Sequence, residues 1–484
     1  MLAKFAVMFS ALAASCSNHI QTPASTSAIT DSEIEKIVDS LVNLGKETAG
    51  SESTAWGSQF MAIDEEPRFM GGIIGSQKPT VDPAMKKLVQ LGVRALPILI
   101  KHLDDKRETK LATKHDMGFG AMWHSDEYDP RYSDKARQPK NINSYPMLSH
   151  SMDHTIDKFT LHVGDACYIV IGQIVDRGLS VIRYQPTACI VVNSPIQCPA
   201  LADAVKKDWG GLTKLDHASQ LEADAYSMWP GAAGSAVKHL LFYYPEKGEK
   251  LALKLLNRKV YDYMAIWNIA DDEMLKTGET AKWRQIYAKT QERYGQDAAA
   301  MIPHWTHWSN WETSRDHPKA DQERASAIFK ALFPKYDPTA NVFHPVVEAR
   351  DQADLIRDLE TFRSKALDDA IQNTFRNAIH TKGRPDLTIE KERRRVDGLD
   401  SIAGAAYERM KGKGYDKEYL AYFEQRIAEV EKFSKEAWEK QYLDEDRKRV
   451  ADLKRSKYCF SHASFENFST SAIRCSKYAR YSLS

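Results

Sequence analysis

The sequence predicts a mostly α-helical protein, with a body of paired helices followed by an arm of long ones. Three observations carry that reading. Apolar residues recur every three or four positions in segment after segment, a period that helices satisfy and strands do not. Proline and glycine fall where those segments start and stop, and Pro385 is the last proline of the 484 residues. The stretch from Arg384 to Tyr458 carries 19 Lys or Arg against 17 Asp or Glu, a mixture that marks solvated helix faces.

The first element is an export signal over residues 1–16. Lys4 gives it a positive start, and Phe5 to Ala14 form an apolar run too short to span a bilayer as a helix. Ala13, Ala14 and Ser15 precede Cys16, and the arrangement resembles a bacterial lipoprotein signal, in which the cysteine becomes the lipidated first residue. Ala13 departs from the Leu more common at that position. Plain signal cleavage near Ala14 and a cytoplasmic chain with an apolar start are the competing readings. Residues 17–80 read as a tether and one helix. The tether, SNHIQTPASTSAIT, is small and polar. The helix, Asp31 to Gly45, carries Ile34, Ile37, Val38, Leu41 and Leu44, with Asp31 or Ser32 as its start cap.

Residues 81–345 read as the body. Its clearest segment is Asp82 to Asp105, two short helices bent at Leu91-Gly92. Met85, Leu88 and Val89 share a face of the first, and Leu96, Leu99, Ile100 and Leu103 a face of the second. Pro83 and Pro97 sit in first turns, where a missing N–H costs little. The pattern resembles a HEAT repeat, and Gly231 to Asn257 resembles it more loosely. The resemblance implies an irregular HEAT-like α-solenoid with insertions, and it brings no catalytic residues. Between the two pairs, residues 114–146 read as a loop insertion. VGDACYIVIGQIVDRG reads as a helix with Cys167, Val170, Ile171 and Ile174 on one side and Gly178 as its stop. Thr187 to Asn193 reads as a short strand or buried turn, and Leu201 to Trp209 as a helix.

Residues 346–458 read as the long-helix arm. Glu348 to His380 is expected as one helix, and Thr388 to Lys411 and Asp416 to Lys457 as two more, split at GKGYD. Residues 459–484 form a basic tail.

Candidate chemistry is sparse. Trp305, Trp308 and Trp311 recur every three residues between Pro303 and Pro318, a spacing that suits a ligand surface for a sugar or a protein. Packing under a helix junction is the alternative. His304 and His307, and likewise His150 and His154, are spaced to share a metal on a helix, but neither set has a complete ligand pattern. The alternatives are that His304 and His307 cap a helix or face solvent, and that His150 and His154 lie on an ordinary polar helix face. Cys167 lies in an apolar run that favours an inert thiol, and Cys189 with Cys198, or Cys459 with Cys475, are spaced for bridges in an oxidising compartment. Nucleotide-binding glycine loops and a G-x-S-x-G elbow are absent from the sequence.

These readings converge on a non-catalytic binding or scaffold protein of the cell envelope, anchored by lipid at Cys16. No cofactor or resident metal is implied. A membrane and a protein or polysaccharide are the expected partners. The net charge of +1 argues against nucleic acid. The alternative is an envelope enzyme, a metal-dependent hydrolase using the His-rich segments 150–162 or 304–317.

Overall fold

The computed structural model describes residues 29–45, 52–53, 60–63, 80–114, 122–124, 155–156, 158–184, 190–226, 232–261, 346–380, 398–433 and 437–462, with isolated positions between 285 and 292. Contacts divide the chain into two units. One comprises residues 1–257, 339–343 and 354–370, the other residues 258–338, 344–353 and 371–484. The described residues are mostly α, thirteen helices with a few short strands. None of those helices is long and apolar enough to cross a membrane.

The first unit begins with α1 (Asp31–Ser40). Its cap is Thr30, one residue before the expected Asp31 or Ser32. The Glu33 N–H donates to Thr30 Oγ1 and the Thr30 N–H donates to Glu33 Oε2, so two orphan donors are satisfied reciprocally. The expected helix pair follows as α2 (Pro83–Leu91) and α3 (Leu96–Lys101). Asp82 caps α2 by accepting from the Ala84 and Met85 N–H groups. The bend falls at Gly92, whose φ of +58° puts it in the left-handed region. A Cβ there would also come within 2.8 Å of the Tyr243 ring. Met85, Leu88, Val89, Leu96, Leu99 and Leu103 are buried as the spacing predicts, but Ile98 takes the buried position expected of Ile100.

The pair packs mainly on one long apolar helix, α4 (Val163–Val175), with α1 against both of its helices. A one-sided stripe is expected for α4, yet twelve of its thirteen residues are buried and only Gln173 is partly open. The reason lies in its composition. An all-round apolar helix must be covered on all sides. Helices α1, α2 and α3 pack on it, and side chains from two of the four helices that follow, His217 and Gln220 of the second and His239 of the third, reach its C-terminal end. Those later helices are α5 (Pro199–Trp209), α6 (Lys214–Asp224), α7 (Ala232–Tyr243) and α8 (Pro245–Leu256).

Strands of this unit were largely unforeseen. β1 (Glu52–Ser53), β6 (Ile182–Tyr184), β7 (Ile190–Val192), β3 (Met122–His124) and β4 (Thr155–Ile156) form a mixed sheet in that order. β1 pairs parallel to β6 and β7 parallel to β3, while the other two pairings are antiparallel. β2 (Glu108–Lys114) and β5 (Lys158–His162) make a separate antiparallel ribbon. Thr109, Leu111 and Thr113 point inward and Glu108, Lys110 and Ala112 outward, a two-residue period visible in the sequence.

In the second unit, β8 (Lys259–Tyr261) pairs parallel to β9 (Val346–Glu348). The single helix expected from Glu348 to His380 is two, α9 (Ala349–Asp358) and α10 (Lys365–Ile379), whose residues fall to both units. Ser364 makes the break: its hydroxyl accepts from the Leu367 N–H and donates to Glu249. The remaining helices are α11 (Gly398–Met410), α12 (Asp416–Phe433) and α13 (Ala437–His462); the single helix expected from Asp416 to Lys457 is thus two, packed on each other. Gly412 and Gly414, both at positive φ, turn the chain between α11 and α12 at the expected GKGYD. Phe375, Tyr407, Tyr419, Tyr422 and Phe423 form an aromatic core here, with Phe375 and Tyr419 stacked at 4.4 Å.

Candidate functional site at the ends of helix α4

Most of the buried ionisable side chains of the first unit, Asp165, Asp176, Arg177, His217, Asp224 and His239, gather at the two ends of α4. A helix leaves its last carbonyls without intrahelical partners. At the C-terminal end of α4 side chains from three segments supply them. His239 Nε2 lies 2.9 Å from the Gln173 carbonyl oxygen, and His217 Nε2 lies 2.9 Å from that of Ile174. Gln220 Nε2 donates to the Val175 carbonyl, and Arg177 Nη1 to that of Asp176. The Arg177 guanidinium also forks onto Asp224, at 2.8 and 3.3 Å, with side chains only 5% and 1% exposed. Trp209 lies under it, 5.5 Å from the ring centroid. Burial pushes the Asp224 carboxyl up, against the pull of Arg177.

The two histidines differ in what faces their second nitrogen. Tyr244 Oη is 3.1 Å from His217 Nδ1, so the phenol can donate while Nε2–H donates to Ile174. Burial pushes the Tyr244 phenol up to about 12, which keeps that proton in place. His239 Nδ1 instead faces the Ser235 carbonyl at 2.8 Å. The Asp176 carboxylate lies 3.7 Å away, and Phe60 covers the ring at 3.9 Å. Asp176 is the left-handed residue that ends α4, with φ 54°, and the Ser235 hydroxyl donates to it at 2.5 Å. Asp176, and not the expected Gly178, is thus the stop.

The N-terminal end is capped by a carboxylate. Asp165, in the first turn and fully buried, accepts from the His162 N–H at 2.9 Å and from the Ser194 hydroxyl at 2.5 Å. His162 Nδ1 lies 3.1 Å from the same carboxylate, which raises the histidine's pKa against the opposing effect of burial. Ser194 Oγ in turn accepts from the Ile196 and Gln197 N–H groups.

As chemistry, the C-terminal cluster is closed, and at the N-terminal one the serine and the carboxylate are engaged with each other. A general base needs an accessible lone pair, and a serine nucleophile needs a base bonded to its hydroxyl. Ser235 and Ser194 both donate to carboxylates, and the histidines here are turned onto backbone, phenol or the capping carboxylate. Cys167 is fully buried in α4, and burial pushes its thiol up, as the apolar run predicts. Among the described residues no group of three or more His, Cys, Asp or Glu is arranged to hold a metal.

Cys16, Trp305, Trp308, Trp311, His304, His307, His150 and His154 lie outside the described residues. The residues that the structure does bring together, Asp176, Arg177, His217, Asp224 and His239, went unread as a set. They are spread over more than sixty positions, and singly each reads as a polar helix face. The one local signal was Asp176-Arg177-Gly178 directly after an apolar helix. Comparison with known families, curated proteins and solved structures finds no match in any of the three.

Proposed function

We propose that the chain is a non-catalytic binding or scaffold protein of the bacterial cell envelope, anchored by lipid on Cys16. The observation that supports it is the inward turn of the described polar clusters: their hydrogen-bonding capacity goes to helix ends and to each other. Such groups build a rigid body and leave recognition to outer surfaces. The helix pairs 83–101 and 232–256 are the parts of that surface that resemble HEAT units. Trp305, Trp308 and Trp311 are the proposed contact residues for a protein or polysaccharide.

Fractionation and retention test this reading together. Wild type should partition with membranes and Cys16→Ala should not; equal partition of both refutes the anchor. Purified chain should be retained on isolated cell-wall polysaccharide or on envelope protein, with Trp308→Ala retained about tenfold less at unchanged melting temperature. Should Trp308→Ala instead cost about 3–5 kcal/mol of unfolding free energy, the residue is a core residue and the surface role fails.

A further inference from the structure

One ring in the first unit is held by two carboxylates from different segments. His102, at the end of α3, has Nε2 2.6 Å from Glu35 Oε2 on α1 and Nδ1 2.9 Å from Asp105 Oδ2 in the following turn. Its side chain is 16% exposed. Both carboxylates are committed as anions. Asp105 accepts from the Arg107 backbone N–H and takes three guanidinium contacts between 2.6 and 3.0 Å. Burial alone would raise its carboxyl, but the Arg107 and His102 bonds outweigh that and hold it well below the usual range. Glu35 takes the Lys101 ammonium at 2.9 Å, and the Lys101 and His102 bonds lower its carboxyl. Neither carboxylate has a proton to give, so each contact needs an N–H from the ring. A neutral imidazole has one N–H and would leave a lone pair facing a carboxylate oxygen.

We propose that His102 is a proton-operated clasp fastening helix α1 to helix α3, closed while the ring carries both protons and slackened when it loses one. The charged and titratable groups around it are Glu35 and Asp39 on α1, Lys101 on α3, Asp105 and Arg107 in the turn, and Asp165 and Cys167 on α4. Lys101 and Arg107 stay cationic through neutral pH, and the Cys167 thiol, pushed up by burial, stays neutral. His162, bonded to Asp165, is a second imidazole of this unit held by a carboxylate and is the control. The apolar contacts of Ile34, Val38 and Leu41 hold α1 in place when the clasp slackens, so the effect is a change in opening frequency and not release.

The test is hydrogen exchange on the full-length chain, corrected for intrinsic rates. Protection of amides 33–41 should fall about tenfold more than that of amides in α12 between pH 6 and 8.5, the effect of one displaced proton equilibrium. His102→Gln should abolish that difference and His162→Gln should leave it. A flat wild-type response, or a response that survives His102→Gln, overturns the clasp. Ring nitrogen shifts of wild type decide the matter even if the variant does not fold: two protonated nitrogens on His102 at pH 6 are expected, and a neutral tautomer there refutes it.

Discussion

The first turn of α4 meets a carboxylate, Asp165, whereas its last turn meets donors, namely Arg177, His217, Gln220 and His239. Asp165 and Arg177 have the signs that the helix macrodipole favours at their ends, while Asp224 neutralises Arg177 and Asp176 adds a second carboxylate at the C-terminal tip. The two ends differ in reach. The N-terminal cap draws on neighbours from the same stretch, residues 162–197, while the C-terminal cap draws on α6 and α7, up to 66 positions away in sequence. A helix apolar on every side has no solvent to satisfy its ends, so the ends must be finished from inside the protein. The comparison teaches that α4 organises the unit twice, by its sides through burial and by its tips through polar bonds.

That contrast can be broken at graded cost. Asp224→Ala leaves the Arg177 guanidinium buried without its counter-ion and should cost about 3–5 kcal/mol in denaturant unfolding. A loss below about 1 kcal/mol would mean that water reaches Arg177. His239→Leu strands the Gln173 carbonyl in the last turn of α4 and should cost about 1–3 kcal/mol. His217→Leu should cost a similar amount at Ile174, and a much smaller loss than for His239→Leu would place His239 alone at the heart of the cap. At the other tip, Ser194→Ala removes one donor to Asp165 and should cost about 1–2 kcal/mol. If it costs more than Asp224→Ala, the N-terminal tip is the dominant one.

The smallest effect is a pH dependence. Asp165 raises the pKa of His162, so the folded protein holds that proton more tightly than the unfolded chain. The stabilisation is fully present below the ordinary histidine value of about 6.5 and is lost as pH rises through the folded value. The difference in stability between wild type and His162→Gln should therefore shrink from pH 5 to pH 8. A difference that grows across that range would reverse the assignment.

Much of the helical scaffold was legible because its signals are local. Asp82-Pro83 and Pro97 mark helix starts, and the Met85, Leu88, Val89 spacing marks a buried face. The burial of α4 on all sides was less legible, since apolar content shows a core helix but not how many neighbours surround it. Ser364 breaks an apolar period that runs on unbroken in the sequence, with neither glycine nor proline to flag it. Strands of two or three residues, such as β1 and β4, are shorter than any period needs to declare itself, though β2 alternates over its whole length. The polar clusters were illegible for a different reason. His217 and His239 meet at α4 only through folding, and a histidine on a helix face has no marker of its partner.

The placement of α4 has a consequence for synthesis. Its neighbours lie on both sides of it in the chain, α1 to α3 before and α6 and α7 after. A ribosome delivers the first set early, so one flank is sheltered as soon as α4 emerges. The other set, with the histidines that close the C-terminal tip, arrives only when translation has passed residue 239. Until then the nascent chain carries a strongly apolar helix with open carbonyls, the kind of surface that chaperones hold and that aggregates when they do not. A chain interrupted between residues 176 and 232 would remain in that state, which makes α7 the step that commits the first unit to its native form.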